Sequence, residues 1–401
     1  MKIGIYFPTW GTLTHDTHLT AALARALRED HDVEIIHHDV DFRPAALEEA
    51  WEMNLRNIAF RCVPPITEKP EWETWRPFRR LRMEYDFCGE ISSPYDLFFA
   101  VGDTPPLFSH AKKSVMLVTF PRVTFPIYYG HETPEWRSQN FIARFLKTRY
   151  QHFEWRARFG SYRQYLCTSR FVKDCCRRRW GVWADILPPP VRKDISPSEK
   201  KPVILALGEI SHRNINRHDA ILASFRAFSD THRKSLPAKW RLRILGSCDE
   251  SVPRTAEFLK MLREKSAGYP VEIRVNPSAA EQRDALRQAT LFWQATGYDV
   301  DERKNPELTP YDPITAAEAM AAGAIPMVYH AGAMPEVVRH LKTGILWSTV
   351  NELILSTAEL LQNPAAMCAI QEDAHQAGRN YDSATFHVHL RKLLKEEIPQ
   401  R

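Results

Sequence analysis

The sequence predicts an α/β protein of two domains, each a parallel sheet flanked by helices, that face each other across a central cleft. The chain has 401 residues, 44% of them hydrophobic, and is therefore long enough to bury two cores. Apolar, strand-like runs alternate with helical periodicity both early and late in the chain. A proline-rich stretch followed by a polar one separates these regions, which is typical of a connector between domains.

The N-terminal domain is predicted to begin with a βαβ unit. Residues 2–7 form an apolar run that ends in a glycine-containing turn, and Leu19, Leu23 and Leu27 follow at helical spacing. Residues 33–36 form a second apolar run, and a unit of this kind places its strands parallel. Further strands of the same sheet are predicted at residues 97–101, 115–118 and 165–167. Residues 42–94, rich in Pro, Trp and Arg, are predicted to be irregular.

The domain boundary is predicted at Leu187-Pro188-Pro189-Pro190-Val191 and the polar run that follows it. Beyond it, strands are predicted at residues 203–207, 242–245, 271–275, 291–293 and 325–329, and helices at 220–228, 279–289, 315–322 and near Val337. These patterns give an N-terminal Rossmann-like domain over 1–190, a C-terminal Rossmann-like domain over 191–382, and a C-terminal helix over 383–401 that is a candidate to pack back on the first domain. In such sheets ligands bind beyond the carboxyl ends of the strands, so the cleft is the expected site.

Composition indicates a protein of a reducing compartment. No apolar run reaches the roughly 20 residues that a membrane-spanning helix needs, and the first residues resemble a strand more than the apolar core of a signal peptide. The seven cysteines form no CxxC pair and no Cys/His cluster with metal spacing, which favours free thiols over disulfides or a zinc site. A cytoplasmic location is therefore expected.

Charge is distributed unevenly along the chain, whose net charge is +5. Between residues 137 and 179, basic residues outnumber Glu154 and Asp174 roughly six to one, and aromatic residues are interleaved with them. A basic and aromatic helix suits an anionic membrane surface, so the expected location extends to peripheral membrane association. A solvated helix face over a packed core is the alternative. Nucleic acid is not an expected partner because the overall charge is close to balanced.

Two long segments resemble a known family. The first consists of LFWQATGYDVDERKNPEL from residue 291, PYDPITAAEAMAAGAIPMVYHAGAMPEVV from residue 310, and TGILW from residue 343. The second is CTSRFVKDCCRRRWGVWADILPPPV from residue 167. Both are similar to family 4 glycosyltransferases of the GT-B fold, in particular to the branch with mannosyltransferases that act on lipid-linked oligosaccharides. The resemblance implies two Rossmann-like domains around a cleft, with a nucleotide-sugar donor held by the second domain.

The central donor-site prediction concerns Glu318, in an Ala-rich run predicted near the start of a helix. A carboxylate there can accept both hydroxyls of a ribose, and the family's matching glutamate does so. The preceding turn, formed by Asp312, Pro313, Ile314 and Thr315, is predicted to expose main-chain N–H groups to the donor diphosphate. The alternative is that Glu318 is an ordinary helix residue favoured by the helix dipole.

A second group follows the first strand of the C-terminal domain and includes Gly208, Glu209, Arg213 and Arg217. The family places an Arg and a Lys here on the pyrophosphate. In this chain Glu209 stands at the Arg position, and Asn216 or Arg217 stands at the Lys position. Guanidinium groups bind phosphate oxygens in a bidentate manner, so Arg213 and Arg217 are predicted to take over this role, with surface arginines as the alternative.

The chain departs from the family at two further positions. The first of two family glutamates, eight positions before Glu318, is replaced by Pro310, and Glu307 could substitute only after a shift in loop register. A family His-Phe-Pro motif reads Thr119-Phe120-Pro121, so its histidine is missing. The candidate acceptor residues are therefore His15, His18, Thr119, Arg122 and His131, each histidine having an ordinary exposed or structural role as its alternative.

Four residues complete the predicted donor site. Gly11 and Thr12 follow the first strand, where a missing Cβ lets main-chain amides approach a phosphate or acceptor. Gly297 and Tyr298 match the family segment that lines the base or sugar pocket. Plain turn or packing roles are the alternatives for both pairs. Asp39-Val40-Asp41 and Asp299-Val300-Asp301 resemble metal-binding D-x-D motifs but lack a supporting cluster, so no metal is predicted.

The resemblance implies a metal-independent hexosyltransferase, retaining in stereochemistry and active in polysaccharide or glycan biosynthesis. Its donor is expected to be a UDP- or GDP-sugar, which is a substrate, and no cofactor is expected. The acceptor is a glycan, a lipid-linked glycan or a small molecule. Two alternatives remain: a catalytically silent GT-B protein that binds a glycan or partner, and a sugar phosphorylase on the same fold.

Overall fold

The protein forms two compact units. The computed structural model describes residues 1–10, 14–51, 53–66, 77–192, 195–232 and 240–394, apart from the side chains of 46, 49–51 and 77–80. The N-terminal unit comprises Met1–Leu187 and His387–Arg401, and the C-terminal unit comprises Pro188–Phe386. The chain therefore passes from one unit to the other after Leu187 and returns after Phe386.

The N-terminal unit contains a seven-stranded sheet in its described residues, with the strand order β3-β2-β1-β4-β5-β6-β7. The strands are β1 (Lys2–Tyr6), β2 (Asp32–His37), β3 (Ile58–Cys62), β4 (Leu97–Gly102), β5 (Lys113–Val118), β6 (Gln164–Cys167) and β7 (Asp185–Ile186). All of these strand pairs are parallel. Both faces of a parallel sheet are covered by helices, which explains why Ile3, Ile5 and Phe99 are fully buried.

Seven helices surround this sheet in the described part of the unit, and an eighth returns from the C-terminal unit. They are α1 (His15–Leu27), α2 (Pro44–Trp51), α3 (Pro77–Ser92), α4 (Phe125–Tyr128), α5 (Pro134–Ser138), α6 (Phe141–Gly160) and α7 (Arg170–Trp180). The first βαβ unit and the strands after it confirm the sequence prediction.

The prediction that residues 42–94 are irregular is wrong, because α2, β3 and α3 lie there and β3 pairs with β2. The buried positions of α3 include Glu84, Cys88 and Ile91. This spacing is helical, but it begins with a carboxylate that is paired inside the unit. A search for apolar periodicity therefore misses the helix.

Within the described part of the C-terminal unit, a six-stranded parallel sheet has the order β10-β9-β8-β11-β12-β13. Its strands are β8 (Lys201–Leu207), β9 (Arg241–Gly246), β10 (Val271–Val275), β11 (Ala289–Gln294), β12 (Ile325–Tyr329) and β13 (Ile345–Trp347). Its helices are α8 (His218–His232), α9 (Pro253–Ser266), α10 (Ala279–Gln288), α11 (Ile314–Ala321), α12 (Met334–Val337), α13 (Val350–Gln362) and α14 (Pro364–Gly378). Trp293 and Phe225 are fully buried where α8 packs on this sheet.

The predicted fold class is confirmed, since both units are Rossmann-like α/β sheets. Strands β10 and β12 have the bounds that the sequence predicts, whereas α9, β7 and β13 were not predicted. Both missed strands are very short, of two and three residues, and give no period to detect.

The last helix, α15 (Ser383–Leu393), begins in the C-terminal unit, and its residues from His387 onward belong to the N-terminal unit. Arg391 forms ion pairs with Glu29 and Asp30, at 3.2 and 2.8 Å. Within the described ranges, no single helix is long and apolar enough to cross a membrane. Two consecutive helical segments, Val350–Gln362 and Pro364–Tyr381, would together be long and apolar enough, but the chain bends by 108° between them.

Candidate functional site

The predicted donor residues of the C-terminal unit lie in elements that meet at one edge of its sheet. Its strands are parallel, so the carboxyl ends of β8, β11 and β12 lie at the same edge. The loop after β8 carries residues 208–217, and the turn after β11 carries Gly297 and Tyr298. Helix α11 leads into β12, which places its N-terminus and the turn over residues 312–315 at this edge as well.

The loop after β8 is fixed by Asn216. Gly208 has φ +146°, and a Cβ on it would lie 2.4 Å from Cγ of Asn216, so only glycine fits there. The Asn216 amide donates to the main-chain oxygen of Glu209 at 3.1 Å, and its oxygen accepts from the hydroxyl of Thr296 at 3.1 Å. Of the two residues considered for the family's lysine position, Asn216 therefore shapes the loop.

Arg217 supplies a cation at this loop. Its guanidinium lies 3.4 Å from a carboxylate oxygen of Asp299 and 5.8 Å from the ring centre of Tyr298. Its φ is +52°, an unusual conformation for a residue with a side chain. Arg213 and Glu209 are exposed in the same loop. The loop thus carries two guanidinium groups, and that of Arg217 already forms an ion pair with the exposed Asp299.

A buried histidine, His218, contacts the main chain of the loop after β8. Nε2 of His218 lies 3.2 Å from the main-chain oxygen of Gly208, and the residue is 1% exposed. Burial lowers the pKa of His218 to about 4, so the ring is neutral at neutral pH. A neutral ring can donate from Nε2 to the Gly208 carbonyl without bringing a charge into the core.

Pro310 has a structural role where the family has a glutamate. Its oxygen accepts from the N–H of Ala333 at 2.9 Å. A Cβ on Gly332 would lie 2.5 Å from that oxygen, and one on Gly297 would lie 3.1 Å from Cδ of Pro310. The proline therefore packs the turn after β11 against the loop after β12. Tyr298 packs against Tyr329 and Trp347 and contributes to the wall of this region.

The N-terminal turn of α11 differs from the predicted anion site in one respect. Oδ1 of Asp312 accepts the N–H of Ile314 at 2.9 Å, and Pro313 has no N–H to offer. One of the amides assigned to the diphosphate is thus occupied by a carboxylate. The amides of Thr315 and Ala316 lie in the first turn of the helix, where no intrahelical acceptor exists.

Glu318 is buried and forms an ion pair with Arg192, a residue outside the predicted site. Nε of Arg192 donates to Oε1 at 2.6 Å and Nη2 donates to Oε2 at 2.9 Å. The main-chain N–H of Arg192 also lies 3.4 Å from Oε1. The proposed ribose acceptor therefore already has a bidentate partner. The spacing between residues 192 and 318 gives no sequence signal for this contact.

A cavity of about 490 Å³ lies beside this pair within the C-terminal unit. It is lined by residues of the segment after the boundary, of the end of α11, of α14, and of the stretch from α14 into the start of α15. Among them are Arg192, His375, Arg379 and Asp382. Among the predicted donor residues, none lines it. The predicted donor residues of the C-terminal unit therefore lie outside this cavity.

The acceptor candidates fall into two places in the N-terminal unit. Thr119 follows β5, and its hydroxyl donates to a carboxylate oxygen of Asp16, in the first turn of α1, at 3.2 Å. Arg122 pairs with Asp103, which follows β4, at 2.9 Å. The carboxyl edge of the N-terminal sheet therefore brings Thr119 and Arg122 together with the N-terminus of α1.

The three candidate histidines differ in their surroundings. His15 and His18 lie on α1, where His15 is exposed and His18 is 3% exposed. His131 lies elsewhere, stacked 3.9 Å from Trp136, with Nε2 2.8 Å from the side-chain oxygen of Gln151. The structure thus gives His131 a packing role. Gly11 and Thr12 fall outside the described residues.

The two D-x-D motifs are separate and serve local contacts. Asp39 accepts the N–H of Trp10, and Asp299 pairs with Arg217. In the part of the chain that the structure describes, no group of three or more His, Cys, Asp or Glu side chains is arranged to hold a metal ion. Metal independence stays a prediction.

Comparisons with solved structures define the class of fold. The chain is 12% identical to sucrose-phosphate synthase from Thermosynechococcus elongatus, with a TM-score of 0.62 over 98% of each chain. It is 10% identical to a glycosyltransferase from Rickettsia africae, with a TM-score of 0.66 over 100% of this chain and 99% of that one. Anabaena HepE, solved with UDP and glucose, gives 11% identity and a TM-score of 0.65 over 99% and 100%. The protein therefore has the GT-B fold of glycosyltransferases.

Sequence comparisons find a family likeness over part of the chain. Residues 201–363 match the family model described as glycosyl transferases group 1. The chain is also 25% identical, over 243 residues, to a GDP-Man:Man(3)GlcNAc(2)-PP-Dol alpha-1,2-mannosyltransferase from Dictyostelium discoideum. This match covers 58% of the chain and 46% of that relative, so it spans about half of the relative's length. The chain is thus family 4-like and GT-B in fold, which confirms the resemblance seen in the sequence.

Proposed function

We propose that this protein is a glycosyltransferase that moves a hexose from a UDP- or GDP-sugar to a glycan, a lipid-linked glycan or a small molecule. The observation that carries the proposal is the carboxyl edge of the C-terminal sheet, where the loop after β8 with Arg213 and Arg217 lies at the same edge as the N-terminal turn of α11, the helix that carries the buried Glu318. The match over residues 201–363 covers this edge. The named donor of the mannosyltransferase relative and the UDP of HepE support a nucleotide-sugar as the substrate class.

The proposed chemistry depends on charge stabilisation of the departing diphosphate. Arg213, Arg217 and the first-turn amides of α11 offset the charge that develops on the nucleoside diphosphate as the sugar bond breaks. Glu318 accepts the ribose hydroxyls and fixes the position of the nucleotide. No protein nucleophile is invoked, and retention of configuration at the sugar is part of the proposal. No metal or cofactor is assigned a role.

The test measures nucleotide binding by calorimetry with UDP, GDP and ADP. Binding of UDP or GDP to the unaltered chain is expected, and Arg217→Met should weaken it about tenfold or more, because a charge-assisted contact to phosphate is lost. Arg243→Met is the matched control. Arg243 forms a bidentate pair with Glu272 between β9 and β10, away from the predicted site. Equal loss in both variants, or no nucleotide binding at all, would refute the donor-site proposal.

A second candidate is a silent GT-B protein that binds a glycan or partner. It is favoured by three observations at the site: Pro310 packs a turn where the family has a carboxylate, Asp312 occupies an amide of the phosphate turn, and Glu209 replaces a cation. Incubation with a panel of UDP- and GDP-sugars separates the two functions. Slow release of free sugar and nucleoside diphosphate supports the enzyme, and unchanged donors in every case support the binding protein.

The proposal includes a peripheral site on an anionic membrane, formed by α6. Five large apolar side chains of this helix are 52–74% exposed: Phe141, Ile142, Phe145, Leu146 and Phe153. At 100° per residue they share one face with Arg149 and Arg156, and the Arg149 guanidinium lies 5.9 Å from the Phe145 ring centre. Exposed apolar groups interleaved with cations suit the headgroup region of an anionic bilayer. The surface also suits an enzyme with a lipid-linked acceptor.

Flotation with vesicles tests this surface. The chain should bind vesicles of phosphatidylglycerol and phosphatidylcholine, and bind pure phosphatidylcholine much more weakly. Phe145→Ser with Phe153→Ser should reduce binding by about tenfold or more, since each fully buried Phe contributes roughly 1.5–3 kcal/mol. Val388→Ser is the control, because Val388 is also an exposed apolar residue, at 65%, but lies on α15 and not on α6. Equal binding of all three proteins would contradict the assignment.

A further inference from the structure

The cavity of about 490 Å³ in the C-terminal unit is a candidate for a second ligand site. Its volume lies within the range of pockets that bind small molecules, roughly 300–1,000 Å³. Two segments form most of its wall, one where the chain enters the unit and one that leads out of it. They contribute residues 191–192, 195–197, 378–379 and 382–384. Ala321, at the end of α11, and His375, on α14, complete the wall.

Contacts within the C-terminal unit fix the wall of this cavity. The N–H of Val191 donates to the main-chain oxygen of Tyr381 at 2.7 Å, which joins the two segments. A Cβ on Gly378 would lie 2.4 Å from the main-chain nitrogen of Ala321, so α14 packs closely on α11 beside the cavity. The cavity is therefore preformed, and a ligand does not have to order its wall on binding.

The charged side chains of the wall differ in how far they are already paired. Arg192 forms an ion pair with Glu318 at 2.6 Å. Oδ1 of Asp382 accepts the N–H of Thr385 at 2.7 Å. Over the residues that the structure describes, the exposed guanidinium of Arg379 makes no hydrogen bond or ion pair. A guanidinium binds a phosphate or a carboxylate in a bidentate manner, so Arg379 gives this wall a position for an anionic group.

The remaining polar groups of the wall suit hydroxyls. Nδ1 of His375 lies 2.9 Å from the main-chain oxygen of Ala321, and because a carbonyl only accepts, Nδ1 carries the proton. In the neutral ring, Nε2 is then an acceptor. Ser196 and Ser383 add hydroxyls, each of which can donate and accept. Donors and acceptors around the Arg379 guanidinium match an anion that also carries hydroxyl groups.

We propose that this cavity binds a small polyhydroxylated anion, a sugar phosphate or a sugar acid. Arg379 binds the phosphate or carboxylate group, and His375, Ser196 and Ser383 bind hydroxyls. The ligand contacts both segments of the wall, so it connects the stretch that enters the unit to the stretch that leads out of it. This site does not depend on the proposed function, because its ligand binds without a nucleotide and without sugar transfer.

Calorimetry with the full chain tests the site with three probes: glucose 6-phosphate, gluconate and glucose. Binding of glucose 6-phosphate identifies a phosphate as the anionic group, and binding of gluconate alone identifies a carboxylate. Glucose should bind about tenfold or more weakly than the better of the two anions, because it lacks the charge-assisted contact to Arg379. The proposal is overturned if neither anion binds, or if glucose binds as well as both.

Variants of Arg379 test the role of its guanidinium. Arg379→Met should weaken binding of the anion about tenfold or more, and Arg379→Lys, which keeps the charge but not the two-pronged contact, about threefold. Arg254→Met is the matched control, because Arg254 is an exposed arginine of the same unit that lies on α9 and outside the wall. Equal weakening in Arg379→Met and Arg254→Met shows a general effect of charge and overturns the proposal.

Nucleotide binding separates this site from the predicted donor site. Arg379→Met should leave the affinity for UDP and GDP unchanged, and Arg217→Met should leave the affinity for the anion unchanged. Displacement of the anion by UDP or GDP, together with loss of anion binding in Arg217→Met, places the anion at the donor residues and overturns the second site. Anion binding in a chain that binds no nucleotide supports this site and refutes the proposed function.

Discussion

The buried network around Arg158 allows a stability prediction from geometry alone. Arg158 is 1% exposed and lies near the end of α6, the helix with the exposed apolar face. Its guanidinium contacts both oxygens of Glu84, one of these at 3.0 Å, and an oxygen of Glu154 at 2.7 Å. It also lies 4.5 Å from the ring centre of Phe108. Two carboxylates that are only 12% exposed thus depend on this cation.

Arg158→Met should destabilise the N-terminal unit strongly. Removing one partner of a buried ion pair typically costs about 3–5 kcal/mol, because the remaining charge is left without compensation. For a unit of roughly 200 residues, 1 kcal/mol shifts the melting temperature by about 2–4 °C. A decrease of about 10 °C is therefore expected. The variant Arg158→Met with Glu84→Gln and Glu154→Gln should recover about half of this loss, since no unpaired carboxylate remains.

Differential scanning calorimetry at neutral pH and low salt measures the effect. Arg156→Met is the matched control, because Arg156 lies on the same helix and is exposed. It should shift the melting temperature by no more than about 2 °C, as is usual for a surface position. A decrease below about 2 °C in Arg158→Met would refute the reasoning. So would a triple variant that melts no higher than the single one.

Three further predictions concern the C-terminal unit. Burial lowers the pKa of His218 from 6.5 to about 4, so between these pH values the unfolded chain binds a proton that the folded chain does not. The free energy of unfolding should therefore rise by up to about 3 kcal/mol as the pH increases through this window, and His218→Gln should remove this pH dependence in urea unfolding. Gly208→Ala places a Cβ 2.4 Å from Cγ of Asn216 in a residue with φ +146°, so the loop after β8 must shift. Nucleotide binding measured by calorimetry should weaken about tenfold or more. An unchanged affinity would contradict the role of this loop. Nζ of Lys200 donates to three main-chain oxygens within 3.0 Å. Lys200→Met should therefore lower the free energy of unfolding, measured with urea, by about 2–3 kcal/mol. Lys201 is exposed, and Lys201→Met should lower it by less than about 0.5 kcal/mol.

The parallel sheets could be predicted because their inner strands are buried on both faces, and because the edge strand over 271–275 alternates exposed and half-buried residues. Residues 271–275 and 325–329 were predicted with the observed bounds, and the latter is almost wholly buried. Helix α3 could not be found in the same way, because its described buried positions include Glu84, whose partner Arg158 lies 74 residues further along the chain. Apolar periodicity detects burial only where the buried groups are apolar.

The predicted donor site shows the same limit at the level of single residues. The positions of Glu318, Gly208 and Arg217 follow from local sequence, because each lies in or beside a turn at the end of a predicted strand or helix. The partner of Glu318 does not follow, since Arg192 is 126 residues away and its contact depends on how the segment after the boundary packs. A sequence pattern places functional groups on elements. It does not say which of their hydrogen-bonding positions are already taken.

The departures from the family pattern are connected through the structure of the loops. Pro310, in place of a carboxylate, accepts from Ala333 and crowds Gly332, which fixes the loop after β12. Asn216, in place of a cation, fills the space beside Gly208 and leaves the positive charge to Arg217. Each replacement thus gives the edge of the sheet rigidity where the family has a charge. If the protein transfers sugar, the diphosphate must be held mainly by the arginines of one loop and the amides of α11. Its affinity should then fall steeply with salt, because the contacts are exposed and charged.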